Sequence, residues 1–365
     1  MSLTTSVVVP AYNAAATLRA TLESIAAQTL PPLDVLVIDD GSNDGTAAVA
    51  RGMASHLPGL QVISIPHAGV SAARNAGIER ARGDLVVPVD ADDLLHPTYI
   101  EKMIAPFESD PACGLAYCYL RGIDLDGRVV GNGTTVPVAG NGLHRLLALN
   151  YAPNGSVVVF RRRAIVEAGG YDPAQLQSED YLMLLKMAQR HPVAVVAQHL
   201  VGYRNVPGSL SKQFTPGETD RRALAHRLPA VCPGAPRRFV GWARARGYFG
   251  MAPRLLRAPD LTLARKLPAI GYYLARAAAV DPFGTLVLIW ASGWRRLTRR
   301  ARGRTITAAA AWAAGQPFAA VDPARLDSRP LPWLTRRRLA IAGTADAAVL
   351  PNWTLAQAEG KAGPS

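Results

Sequence analysis

Four short, nearly continuous apolar runs, at 6–10, 34–38, 60–65 and 85–89, alternate with helix-patterned stretches at 14–28, 46–56 and 70–81. No other feature constrains the chain as much. Strands that are apolar throughout need cover on both faces, and the amphipathic stretches between them supply it, so the pattern predicts a parallel sheet flanked by helices. In such sheets ligands bind beyond the carboxyl ends of the strands. The polar clusters fall at those ends: Tyr12-Asn13 after the first run, Asp39-Asp40 after the second and Asp90-Ala91-Asp92-Asp93 after the fourth. Further along, Asp126-Gly127 signals a hairpin turn within 112–138. A strand is expected near 156–160, with helices near 161–168 and 179–190.

Hydrophobic residues make up 49% of the 365 and charged residues 18%, which is enough apolar material for a core and argues against extended disorder. Cys113, Cys118 and Cys232 are too few and too scattered for a disulfide framework and lack zinc spacing, so they read as buried free thiols in a reducing compartment. The first apolar run begins within a few residues of Met1 and is too short for a secretion signal, so the catalytic part is expected to be cytoplasmic. The net charge of +13 is unevenly spread. Residues 1–220 hold 16 Lys and Arg against 21 Asp and Glu, a net of −5, whereas residues 221–365 hold 24 against 6, a net of +18. An acidic-leaning body with a basic tail suggests two jobs.

Asp90 and Asp92 are the right residue type for Mg²⁺ or Mn²⁺, which take oxygen ligands and are held by one or two carboxylates together with substrate phosphates. Such an ion neutralises charge on a departing diphosphate. From these residues alone, a solvated acidic turn ahead of the helix near Pro97 reads equally well. The wider constellation decides between them. Val7-Val8-Val9-Pro10-Ala11-Tyr12-Asn13, Val37-Ile38-Asp39-Asp40-Gly41-Ser42-Asn43-Asp44-Gly45-Thr46, Gly69-Val70-Ser71-Ala72-Ala73-Arg74-Asn75-Ala76-Gly77 and Val89-Asp90-Ala91-Asp92-Asp93 follow one another in order. Together they resemble the family 2 glycosyltransferases of GT-A fold, over about residues 5–215.

The resemblance implies an α/β fold with a mostly parallel central sheet and flanking helices, residues 1–215 forming the GT-A domain and 216–365 a basic, mainly helical extension. It also implies a nucleotide site at Pro10, Tyr12, Asp39, Asp40, Arg74 and Asp90. Tyr12 would lie against the base, Asp39 or Asp40 would accept a hydrogen bond from the base or ribose, and Arg74 would reach the diphosphate or base. Asp90 and Asp92 match the family's metal-binding DxD motif, with Asp93 as a neighbour. Asn154-Gly155-Ser156-Val157, Gly169-Gly170-Tyr171-Asp172 and Ser178-Glu179-Asp180-Tyr181 are similar to the acceptor side, where the resemblance assigns Asp180 as the base of an inverting displacement and Glu179 as its support. An acidic first turn after Ser178 also suits a helix dipole. Tyr203-Arg204-Asn205-Val206-Pro207-Gly208 looks like the loop that closes over the donor, with Val206 where relatives carry a histidine.

The implied partners are a nucleotide-sugar donor, with UDP ahead of GDP or dTDP, and a glycan or lipid-linked acceptor. A sugar-1-phosphate nucleotidyltransferase would need a glycine-rich phosphate loop where Ala14-Ala15-Ala16 stands, and a dehydrogenase would need G-x-G-x-x-G after a strand. A non-catalytic sugar-nucleotide-binding or membrane-scaffold protein of the same fold is the remaining alternative. In the tail, the apolar stretch before Trp294 is too short to span a bilayer. With Arg295, Arg296, Arg299 and Arg300 beside it, the region 270–305 suits peripheral contact with a membrane surface better than nucleic acid, which is not expected as a partner.

Overall fold

The computed structural model describes residues 2–133, 135–204, 214–257, 262–283, 285, 286, 289, 313, 315–325 and 336–342. Strands β1 (Thr5–Ala11) and β2 (Asp34–Asp39) are buried along their whole length, as runs rich in Val, Ile and Leu inside a two-sided sheet must be. They pair in parallel with each other and with β3 (Leu60–Ser64) and β4 (Leu85–Pro88). Helices α1 (Ala15–Ala26), α2 (Thr46–Arg51) and α3 (Val70–Arg80) make the crossovers. α2 is shorter than its pattern predicts. It stops at Gly52, a weak helix former, and the chain continues to Leu57 in turns.

The remaining elements are β5 (Leu94–Leu95), α4 (Tyr99–Ser109), β6 (Leu115–Ile123), β7 (Val129–Asn132), α5 (Leu143–Ala148), a 3₁₀ turn at Gly155–Val157, β8 (Val158–Arg161), α6 (Arg162–Glu167), α7 (Glu179–Ala188) and β9 (Val193–Arg204). The sheet runs β3-β2-β1-β4-β8-β6-β9-β5, with β7 on β6. β8 is antiparallel to both its neighbours, and β6 and β9 are parallel. The mostly parallel sheet with flanking helices is therefore as expected. β9 was not expected: Tyr203 and Arg204 end a strand beside β6, and the loop predicted from them falls at 205–211, outside the described residues together with Val206.

Gly77 has a packing reason. A Cβ there would lie 2.3 Å from Val8 Cγ1, so only glycine lets α3 sit this close to β1. That contact fixes the height of α3 over the strand ends.

Three helices follow: α8 (Phe214–Val231), α9 (Arg237–Arg257) and α10 (Leu263–Val280). Leu224, Leu228, Cys232, Phe239, Val240 and Ala243 join the core that covers the sheet, so the core continues past residue 215. Residues 315–325, for which the sequence carries no signal, strap the β6–β7 hairpin. The Val129 N–H donates to Gln316 O at 2.9 Å and the Phe318 N–H to Gly127 O at 3.0 Å. All three cysteines are free and buried. Among the described residues no helix is long and apolar enough to cross a membrane.

Candidate active site

The site forms where β1, β2 and β4 end and α7 begins. Arg74 stands at its centre, with its side chain only 2% exposed. Its Nη1 donates to Glu179 Oε1 at 3.0 Å and Asp180 Oδ1 at 2.8 Å, and its Nη2 to Asp90 Oδ1 at 2.7 Å. One guanidinium thus ties the end of β4 to the first turn of α7. A planar fork with several fixed donors can do this where a single ammonium cannot. Gly155 makes room for it, since a Cβ there would lie 2.7 Å from Arg74 Nη2 and 3.1 Å from Asp180 Oδ1. Arg74, expected at the diphosphate or base, is bound here to three carboxyl groups of the protein.

The Asp90–Asp93 cluster divides its work. Asp93 is fully buried, accepting from Ser156 Oγ at 2.6 Å, Asn154 Nδ2 at 3.0 Å and the Arg204 N–H at 3.2 Å. Burial, with the charges of Asp90 and Asp92, raises its pKa well above the ordinary carboxylate range. Asp90 keeps partial exposure, and its Oδ2 also accepts from Asn154 Nδ2 at 3.3 Å. Asp92 is partly buried, and its carboxyl is pushed up to about 6 by burial and by the charge of Asp90. Arg204 braces this turn from behind: its Nε donates to Asp92 O at 2.9 Å and its Nη1 to Asp124 O at 3.0 Å and to Leu125 O.

Carboxylates crowded as Asp90, Asp92 and Asp93 are here favour a hard divalent cation. Among the described residues no group of three or more His, Cys, Asp or Glu is arranged to hold one alone. Asp90 and Asp92 therefore fit an ion completed by substrate phosphates rather than a closed protein cage.

The first turn of α7 carries Glu179 and Asp180. Burial raises both; Arg74 opposes the rise, and the result is about 6 for Asp180 and about 8 for Glu179, which also feels the charge of Asp180. Asp180 remains partly open to solvent while Glu179 is buried.

At the β1–β2 end, Tyr12 is 50% exposed and stacks on His67, with ring centroids 4.2 Å apart and an interplanar angle of 25°. Tyr12 is set by Asn13, a left-handed residue at φ 49° whose Oδ1 accepts from the Asn43 N–H at 3.0 Å. Pro10 lies buried two residues earlier in β1. Asp39 accepts from the Ser42 N–H and Ser64 Oγ, both at 3.1 Å. Asp40 accepts from the Ala68 N–H at 2.8 Å and the Gly69 N–H at 2.9 Å, ahead of α3. Both aspartates thus organise the loops around the site. His67 carries no signal in the sequence, and Asn154 and Ser156 are singled out there only within the acceptor-side block 154–157. Asn154 and Ser156 had a signal in the Asn-Gly-Ser turn before a strand, whereas His67 lies in a loop with no periodicity to mark it.

A family model, "Glycosyl transferase family 2", matches residues 6–137. The amylovoran biosynthesis glycosyltransferase AmsE of Erwinia amylovora is 32% identical over 203 residues, 54% of this chain and 75% of that protein. The chain spans about a third or less of the length of the first curated relatives it matches. Among solved structures, Staphylococcus aureus TarS 1–349 in complex with UDP superposes with a TM-score of 0.57 at 18% identity, covering 78% of this chain and 82% of that one. The mannosyltransferase PcManGT from Pyrobaculum calidifontis, in complex with GDP-Man and Mn²⁺, superposes with a TM-score of 0.54 at 19% identity, covering 97% of this chain and 89% of that one. At these identities the two structures speak for the fold.

Proposed function

The chain belongs to glycosyl transferase family 2, and from that premise we propose that it is an inverting glycosyltransferase. It moves a sugar from a nucleotide-diphosphate donor, a UDP-sugar ahead of GDP- or dTDP-sugars, to a hydroxyl of a glycan or lipid-linked acceptor. The observation that carries this reading is the buried Arg74 guanidinium shared by Asp90, Glu179 and Asp180. It holds a cation-binding carboxylate and a proton-accepting carboxylate rigidly around one point, which suits a displacement at a carbon lying between them.

Tyr12 offers its exposed ring to the nucleobase, and the loops held by Asp39 and Asp40 frame the nucleoside. Asp90 and Asp92 would hold Mg²⁺ or Mn²⁺, which when bound supplies positive charge at the departing diphosphate. Asp180, partly open to the cleft, takes the acceptor hydroxyl's proton. Glu179 is buried and is raised further than Asp180 by burial and by the charge of Asp180, so it is the poorer proton acceptor of the two and supports the base. Arg74 keeps Asp180 ionised and in position. Arg204 holds the Asp92 turn from the β9 side.

Binding of UDP-, GDP- and dTDP-sugars with Mn²⁺ or EDTA tests the reading directly. Asp92→Ala is expected to weaken metal-dependent donor binding by about 100-fold, at least what disturbing a metal site ordinarily costs. Calorimetry with Mn²⁺ and with EDTA measures it, and no binding of any donor by the unaltered chain would overturn the proposed activity.

Residues 1–215 are proposed as the catalytic unit and 216–365 as a basic extension meeting the inner face of a membrane. Of the predicted contact region 270–305, residues 290–305 lie outside the described residues. Within the described part, Tyr272, Phe283, Leu286 and Ile289 are exposed large apolar residues. Apolar side chains beside basic ones suit an anionic lipid surface. Phe283→Ser with Leu286→Ser is expected to reduce pelleting with phosphatidylglycerol vesicles several-fold at low salt. Equal pelleting would argue against lipid contact here.

A further inference from the structure

His67 is built into place. A Cβ on Gly41, which sits at φ +74°, would come within 3.0 Å of the His67 nitrogen, so the bare glycine lets the two loops touch. Asp40 then fixes the ring. His67 Nδ1 lies 2.9 Å from Asp40 Oδ2 and 3.0 Å from Asp40 O, while the Asp40 side chain itself is 3% exposed. Both atoms facing Nδ1 are acceptors, so Nδ1 carries the hydrogen. In the neutral ring Nε2 is then an acceptor. It makes no hydrogen bond among the described residues, and the side chain is 55% exposed. One face of the ring carries Tyr12.

The Asp40 carboxylate, by contrast, is occupied by two backbone N–H groups and the imidazole. An incoming base therefore meets Tyr12 and the His67 Nε2 before it meets Asp40.

We infer that His67 is the residue that reads the nucleobase, its Nε2 accepting a hydrogen bond from a ring N–H of the base. This rests on the donor reading above and deepens it. Uracil and thymine present an N–H at N3 and guanine one at N1. Cytosine N3 and adenine N1 are bare acceptors and would face Nε2 lone pair to lone pair. The site thus selects bases with a ring N–H, and Asp40 acts on the base through His67 as a positioning residue.

The test uses the full chain at pH 8, where an ordinary imidazole is neutral. Calorimetry with Mn²⁺ compares UDP with CDP, GDP with ADP, and inorganic pyrophosphate as a probe without a base. The unaltered chain is expected to favour UDP over CDP, or GDP over ADP if it takes purines, by about three- to tenfold, the range of one net hydrogen bond. His67→Phe keeps a flat ring against Tyr12 but has no Nε2. It is expected to bring that ratio to about one and leave pyrophosphate binding unchanged. A ratio unaltered in His67→Phe, or no preference in the unaltered chain, overturns the inference. So does an equal loss for pyrophosphate and nucleotides, which would make His67 only a brace for its loop. If the unaltered chain binds neither pyrophosphate nor any nucleotide, the donor reading itself falls, and this inference with it.

Discussion

Asp180→Asn is expected to lower kcat by about 10²- to 10⁴-fold, the usual contribution of a positioned general base, and to leave donor affinity within about twofold. The substitution keeps size and shape, and the amide oxygen can still accept from Arg74 Nη1, so the three-carboxylate hub loses a charge but not a contact. It removes a basic lone pair from the α7 carboxylate that stays partly open to solvent. Glu179 does not replace it, being buried and raised to about 8.

The pH profile carries the same assignment. A base works deprotonated, and Asp180 sits at about 6, so kcat/KM should be level near pH 8 and fall towards tenfold per unit once pH drops below about 6. Measured at saturating Mn²⁺, so that Asp92, also at about 6, adds no fall of its own, the residual rate of Asp180→Asn should lack that limb. Steady-state rates across pH 5 to 8, with calorimetric donor affinity, measure both. An Asn variant that turns over at the unaltered rate would remove Asp180 from the chemistry.

The parallel half of the fold was legible because each element announces itself locally. Val7-Val8-Val9 and Val35-Leu36-Val37-Ile38 are unbroken apolar runs, and the helices between them carry their own periodicity. The polar residues expected at the strand ends are there, and Asp90, Glu179 and Asp180 come together although 90 positions separate the first from the last. β9 was not legible. Val193–Arg204 carries Gln198, His199 and Gly202 among its apolar residues, and what makes it a strand is its place beside β6, a long-range fact. Residues 315–325 escaped for the same reason, since they are held by backbone hydrogen bonds to a hairpin nearly 190 positions earlier.

Arg74 shows the limit most sharply. The family resemblance gives Arg74 a place at the diphosphate or base and says nothing of its neighbours within the protein. Which anions surround it depends on how α3 stands over β1 and on where α7 starts, and neither is local. His67 is the complementary case, a residue in a loop that gains a role only because Gly41 lets its backbone approach and Asp40 is buried beside it.

Arg74→Met should therefore be costly to the fold as well as to the reaction. Its side chain has about the same volume, so loss of packing is small, but Asp90, Glu179 and Asp180 are left facing one another without their cation. Breaking a buried ion pair by removing one partner costs about 3–5 kcal/mol, because the remaining charge stays desolvated. For a chain of this size that corresponds to a fall of about 4–7 °C in Tm. The sign of the pH dependence separates charge from packing. Without Arg74 the three carboxyl groups have pKa values in the folded state raised above those of the unfolded chain, so they take up protons more readily when folded. Stability is then regained as pH falls through those raised values and lost as pH rises above them. The gap in Tm between Arg74→Met and the unaltered protein should thus be wide at pH 8 and narrow at pH 5.5. Arg74→Lys should recover only part of it, since one ammonium cannot repeat a fork that serves three partners. A gap of the same size at both pH values would mean that Arg74 matters through its contact with the Tyr171 ring, 5.0 Å from its guanidinium carbon, and not as the charge that binds the two halves of the site.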